Sequence, residues 1–151
     1  MPNFYAQINE DKRVVGLSQL SGEVQSDRLI PIDEEMYNTH NLLRMRYIDG
    51  EFVGTVALME ADKPEIAADG EDTLTVQITV TDWKGKVAKD FDDEIALEMN
   101  GMSQSVKASK GTAEITISSE EPGEYILRTT NLDRNAEWKV VVQHGIEKTV
   151  D

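Results

Sequence analysis

The chain has no cysteine. Disulfides, thiolate zinc sites and a thiol nucleophile are thereby excluded, and stability has to come from a packed interior or from association with other chains. Histidine is nearly as scarce. Only His40 and His144 occur, neither has a partner at the spacing of a helical zinc site, and both are expected on the surface. Basic residues are also in short supply, 15 Lys and Arg against 29 Asp and Glu, for a formal charge of -14. A nucleic-acid binder displaces counterions with a positive field, so no nucleic acid is expected as partner, and no anionic membrane surface either. Long apolar runs are missing: nothing approaches the roughly 20 apolar residues of a spanning helix. The opening stretch MPNFYAQINEDKRVV has no signal-peptide core. The expectation is a protein made in the cytosol and kept there unless other machinery carries it out.

Other absences narrow the chemistry. There is no Gly-rich phosphate loop, no dinucleotide fingerprint and no Gly-x-Ser-x-Gly elbow. With 29 acids a pair at glycosidase spacing arises by chance, so their number carries no catalytic signal. The run Asp90-Phe91-Asp92-Asp93-Glu94 offers oxygen ligands that calcium favours. It lacks the spacing and the glycine of an EF-hand loop, and reads as a solvated connection between strands. No catalytic residue, cofactor or metal site is expected, and a small hydrolase on a β scaffold is the least favoured class.

What the chain does have is short runs of Val, Ile, Thr and Tyr, the residues that suit a pleated surface. The reading is mainly β, in two modules. Residues 1–58 form a small hairpin-rich module with a short helix. FYAQINEDKRVVGLSQLSG is a strand, a polar turn at Asn9-Glu10-Asp11-Lys12 and a second strand. A short strand follows around Pro31, then a helix opening near Asp33, where Asp33, Glu34 and Glu35 offset unpaired N–H groups. Asp49-Gly50 marks a second hairpin. A unit of roughly 55 residues is marginal alone, so docking on another subunit is an open alternative to a self-sufficient core. The stretch ALMEADKPEIAADGED reads as a charge-rich connection.

Residues 62–144 carry about seven strand patterns separated by turn signals. In LTVQITVT, Leu74, Val76, Ile78 and Val80 share one face while Thr75, Gln77, Thr79 and Thr81 share the other. Ile95, Leu97 and Met99 repeat the alternation, as do Ala113, Ile115 and Ile117; Tyr125, Leu127 and Thr129; and Trp138, Val140 and Val142. Strands with one apolar face each need a second sheet to hide against, which predicts a two-sheet sandwich. Residues 145–151 read as a C-terminal tail. Trp138 is in phase with the core, whereas Trp83 falls in the turn after Thr81. It is either a lid folded over the core's end or an exposed contact, since exposed aromatics stack on sugar rings and anchor interfaces. Trp83, Tyr37 and Tyr47 are the candidate surface contacts.

The elements Ala68-Asp69-Gly70, Val80-Thr81-Asp82-x-x-Gly85, Lys110-Gly111-Thr112-Ala113 and Pro122-Gly123-Glu124-Tyr125 together resemble a bacterial immunoglobulin-like domain. Such domains occur in invasins, intimins and phage structural proteins. The resemblance covers roughly Asp62 to Gln143 and implies that Tyr125 drops its ring into the core while its hydroxyl bonds upstream backbone. FYAQINEDKRVVGLSQLSGEV, followed by IPID and LLRMRYIDGEFV, resembles the leaders of small tail or accessory proteins of phages infecting Gram-positive hosts. Together these imply a non-enzymatic virion protein of head or tail, assembled in the host cytoplasm, whose N-terminal module anchors it while the sandwich is displayed for weak host attachment. The implied partners are other phage virion proteins, host cell-surface polysaccharide, and further copies of the chain on the particle. The alternative is an assembly factor or chaperone that leaves before the virion matures.

Overall fold

The computed structural model describes residues 3–144, so the expected tail at 145–151 lies outside the described residues. The protein is mainly β, and the chain divides into two compact units. One runs to Thr55 and also takes in Asp82–Lys86; the other comprises Val56–Thr81 and residues 87–144.

In the first unit, strands β1 (Asn3–Ile8), β2 (Val14–Leu20) and β3 (Leu29–Ile32) form an antiparallel sheet in the order β2-β1-β3. The expected polar turn joins β1 to β2. Its Asn9 side-chain oxygen accepts the N–H groups of Asp11 (2.9 Å) and Arg13 (3.0 Å), and Lys12 takes the left-handed conformation that closes it. Ile8 faces Val14 while Gln7 faces Gly16, so Val15 is the extra residue of a β-bulge and turns outward, 60% exposed.

Helix α1 (Glu34–Thr39) starts where its cap requires: the Asp33 carboxylate accepts the Met36 N–H at 2.7 Å, and His40 ends the helix in the left-handed region. Strands β4 (Arg46–Ile48) and β5 (Glu51–Val53) close a hairpin through Asp49 and Gly50, both at positive φ as a type I′ turn demands. Ala6, Ile8, Val14 and Leu42 form the buried centre, with Leu17, Ile30, Ile32, Met36, Tyr47, Phe52 and Trp83 packed around it.

The second unit is an immunoglobulin-like β-sandwich. Strands β6 (Val56–Ala61), β8 (Leu74–Thr81) and β11 (Thr112–Ile117) make one sheet in the order β11-β8-β6. Strands β7 (Ile66–Ala67), β9 (Glu94–Met99), β10 (Met102–Lys107), β12 (Gly123–Thr129) and β13 (Glu137–Gln143) make the other, in the order β10-β9-β12-β13-β7. All pairings are antiparallel except β7 with β13. The first stretch of the sandwich is thus shared between the sheets, β6 in one and β7 in the other.

Leu74, Val76, Ile78 and Val80 are each 0% exposed, and every such side chain contributes about 1.5–3 kcal/mol relative to a wet one. Ile95, Leu97, Leu127, Val140 and Val142 meet them from the facing sheet, and Trp138 packs half-buried against the same cluster. The implied tyrosine corner is present: the Tyr125 hydroxyl donates to the Glu121 carbonyl at 2.8 Å.

Two expectations need correction. ALMEA is not a connection but the body of β6, paired with β8 from Val56↔Thr81 to Ala61↔Val76. Its charge had hidden an alternation in which Met59 and Ala61 pack on the core while Leu58 and Glu60 face outward. Thr81, placed by alternation on the polar face, is 2% exposed at the point where the strand ends in a bridge to Val87.

Candidate binding surface

The loop that carries Trp83 is held by one carboxylate. Asp82 Oδ1 accepts the N–H groups of Lys84 (2.9 Å) and Lys86 (3.0 Å), and the backbone closes with Asp82 N–H to Lys86 O (2.9 Å) and Gly85 N–H to Asp82 O (3.0 Å). Gly85, at φ 90, supplies the left-handed step. The loop belongs to the N-terminal unit. Its indole is half-buried in that unit's cluster, donates its N–H to the Phe52 carbonyl at 2.9 Å and meets the Phe52 ring edge-on with centroids 6.5 Å apart. Lys84 Nζ lies 5.2 Å from the indole centroid, within cation–π range. Trp83 is therefore held within the N-terminal unit's own cluster. It completes a row of rings.

Tyr47 is the third member of that row, tilted against Phe52 with centroids 4.9 Å apart and packed on the same cluster. Tyr37 lies elsewhere. It sits half-buried on α1, its ring 5.0 Å from Phe4 and 6.2 Å from His40. The three candidates are thus not gathered into one patch: two of them are joined through Phe52 and the third pairs with Phe4. Sequence reasoning singled out neither Phe52 nor Phe4 as a joining residue: Phe52 and Trp83 are far apart in the chain, and no local pattern connects a hairpin strand to a later turn.

A cleft of about 360 Å³ opens on the N-terminal unit between Arg13, Val14, Val15, Leu43 and Arg44. Its wall is knitted by the Arg13 guanidinium donating to the Arg44 carbonyl at 2.6 Å and by Arg44 N–H donating to the Val14 carbonyl at 2.9 Å. A second cleft is lined by Phe4, Tyr5, Val24, Pro31 and Ile32 among others, and the Val24 N–H donates to the Tyr5 hydroxyl across it. Neither cleft is lined by histidine.

The acidic run 90–94 does structural work. Asp92 Oδ1 accepts the Lys110 N–H at 2.8 Å, its carbonyl accepts Lys107 Nζ at 2.8 Å, and the Asp93 carbonyl accepts the Ala108 N–H at 3.0 Å. The shifted titrations lie in another loop. The Lys63 ammonium, 2.7 Å away, and then the Ala67 N–H hold Asp72 below the usual carboxylate range. The N–H groups of Asp72 and Glu71 do the same for Asp69, and the Asp72 carboxylate raises Lys63 in turn. All three groups are tied up in holding that loop. Among the described residues no three His, Asp or Glu side chains converge as a metal site, and no helix is long and apolar enough to cross a membrane.

No protein-family model matches the chain, and no curated protein matches its sequence. Among solved structures it is similar to a C-terminal 282-residue fragment of intimin, in complex with the intimin-binding domain of the translocated intimin receptor. There the identity is 19% and the TM-score 0.46, over 56% of this chain and 32% of that one. It is also similar to the D0–D1 domain of intimin, at 14% identity and a TM-score of 0.45, over 83% of this chain and 59% of that one. The chain thus spans less than two thirds of either structure's length.

Proposed function

We propose that this chain is a non-enzymatic structural or accessory protein of a phage particle, in which the N-terminal unit attaches to the particle and the sandwich is displayed for weak contact with host-surface polysaccharide. The observation that carries the non-enzymatic part is where the side chains go. The sandwich interior is filled by aliphatic residues from both sheets, and the shifted carboxylates serve a surface loop. Only outer skin is left for contact. The excess of acid falls mainly on the second unit, which suits a domain displayed in many copies because it discourages clustering. The phage setting has its support in the leader-like segments of the N-terminal unit alone.

Beside the half-buried Trp83 and Tyr47, other groups are open to contact. The outer row of β10 is available, where Met102 is 76% exposed and Ser103, Gln104 and Ser105 are exposed beside it. Weak single contacts become useful when many copies act together. Mass spectrometry of purified virions, with copy number, tests the first half: a stoichiometric presence is expected, and absence from mature particles would replace this reading with the assembly-factor alternative. Retention of the full chain, multimerised on beads, by host cell-wall polysaccharide tests the second. No retention removes the attachment role.

A further inference from the structure

We propose that the outer edge of β2 pairs with the same edge of a second copy of this chain, antiparallel across a two-fold axis, so that the two N-terminal sheets become one. Proteins ordinarily blunt exposed strand edges with charge, proline or brevity. The other sheet edges of the described residues follow that rule: β3 holds Pro31, β4 Arg46, β5 Glu51, β6 Glu60, β10 Lys107 and β11 Glu114, while β7 is two residues long. β2, VVGLSQL, is seven residues without charge or proline and ends its sheet. Its first residue is already occupied on the outer side, Val14 N–H donating to the Met45 carbonyl and Val14 O accepting from Arg44. Beyond it stand the exposed bulge residue Val15 and the open edge to Leu20.

The ends of this edge are charged oppositely. Arg13 and Arg44 line the cleft at its start, and Glu23 is exposed just past its finish. Antiparallel pairing centred near Ser18 brings the arginine end of each copy against the Glu23 end of the other, the self-complementarity that a two-fold interface requires. The apolar Val15 and Leu43 then fill the space between. Backbone pairing along so short an edge falls short of the roughly 1,000 Å² of a stable interface, so the dimer is weak and concentration-dependent.

Sedimentation of the full chain across a wide concentration range tests this. A reversible monomer–dimer equilibrium is expected, weakened about tenfold or more by Val15→Lys and by Arg44→Glu. Glu23→Arg makes the chain less acidic, so it would strengthen any association limited by general repulsion; here it is expected to weaken dimerisation. The double variant Arg44→Glu/Glu23→Arg, with the wild-type net charge, is expected to restore it. Circular dichroism of each variant checks that the fold is kept, and Arg44→Lys provides a conservative control that still dimerises. A chain that stays monomeric at every concentration, a dimer indifferent to Val15→Lys and Arg44→Glu, or a double variant that is not rescued overturns the proposal. The pairing does not rest on the attachment reading: a monomer retained by polysaccharide refutes the dimer alone, and a dimer that is not retained refutes attachment alone.

Discussion

Trp83 is held twice, by its ring against the N-terminal cluster and by its N–H on the Phe52 carbonyl, and the two contributions can be separated. Trp83→Phe keeps an aromatic body and loses the hydrogen bond, at a cost of about 1 kcal/mol. Trp83→Ala leaves a cavity as well and is expected to cost about 3 kcal/mol. Urea unfolding of the full chain, followed by circular dichroism, measures both; an alanine variant as stable as wild type would mean the indole packs on nothing that matters. Tyr125→Phe is the matching test in the sandwich. It removes only the bond to the Glu121 carbonyl, again about 1 kcal/mol. At this scale the sequence was readable unevenly. Tyr125 could be placed because its partner lies four residues away, within one turn. The fate of Trp83 depended on Phe52, 31 residues earlier, and two-residue periodicity says nothing about a side chain that has left its strand.

Among the elements, the turn of Ser109 to Thr112 is the most tightly specified. Gly111 has φ +84, and a Cβ there would stand 2.6 Å from the Ala88 carbonyl oxygen. Gly111→Ala is therefore expected to destabilise the sandwich by roughly 2 kcal/mol or more, since both the backbone conformation and the space are refused. A thermal midpoint within error of wild type would show that the loop at Ala88 yields freely. Helix α1 presents a milder case: Asp33→Ala removes its only side-chain N-cap bond and should cost about 1 kcal/mol, with Asp33→Asn close to neutral. Strands and turns were legible wherever alternation and positive-φ signals agreed, which covers both hairpins of the first unit and β8 to β13. β6 was lost because Glu60 and the acids after it imitate a linker, although an edge strand needs only one dry face. The clefts and the basic end of β2 were not legible at all. They are made by residues 13–15 and 43–44, which no spacing rule brings together.

For the whole molecule, charge governs. Asp69 and Asp72 titrate below their ordinary range in the folded chain, so the stability they lend is complete above the unfolded carboxylate value near 4 and fades as pH falls through the folded values. Lys63 is shifted upward, so its share is complete below the ordinary lysine range and fades only as pH rises beyond it. Asp72→Asn is accordingly expected to flatten the acid limb of a urea-midpoint profile between about pH 5 and pH 2. Acid limbs that superpose would refute that assignment. A formal charge of -14 also makes the compact state repel itself. Raising salt from about 0.01 M to 0.15 M, which shortens the screening length from about 30 to 8 Å, should therefore raise the thermal midpoint.

Because Trp83 and its loop are built into the first unit, that unit is not a continuous stretch of chain. Its core cannot be finished on the ribosome until well after residue 55 has emerged, so the first strands must wait, incomplete, for a piece made later. A recombination that swapped residues 56 onward for an unrelated sandwich would carry that piece away and leave Phe52 facing water. Evolution can exchange the two halves freely only if each donor brings its own tryptophan-bearing loop.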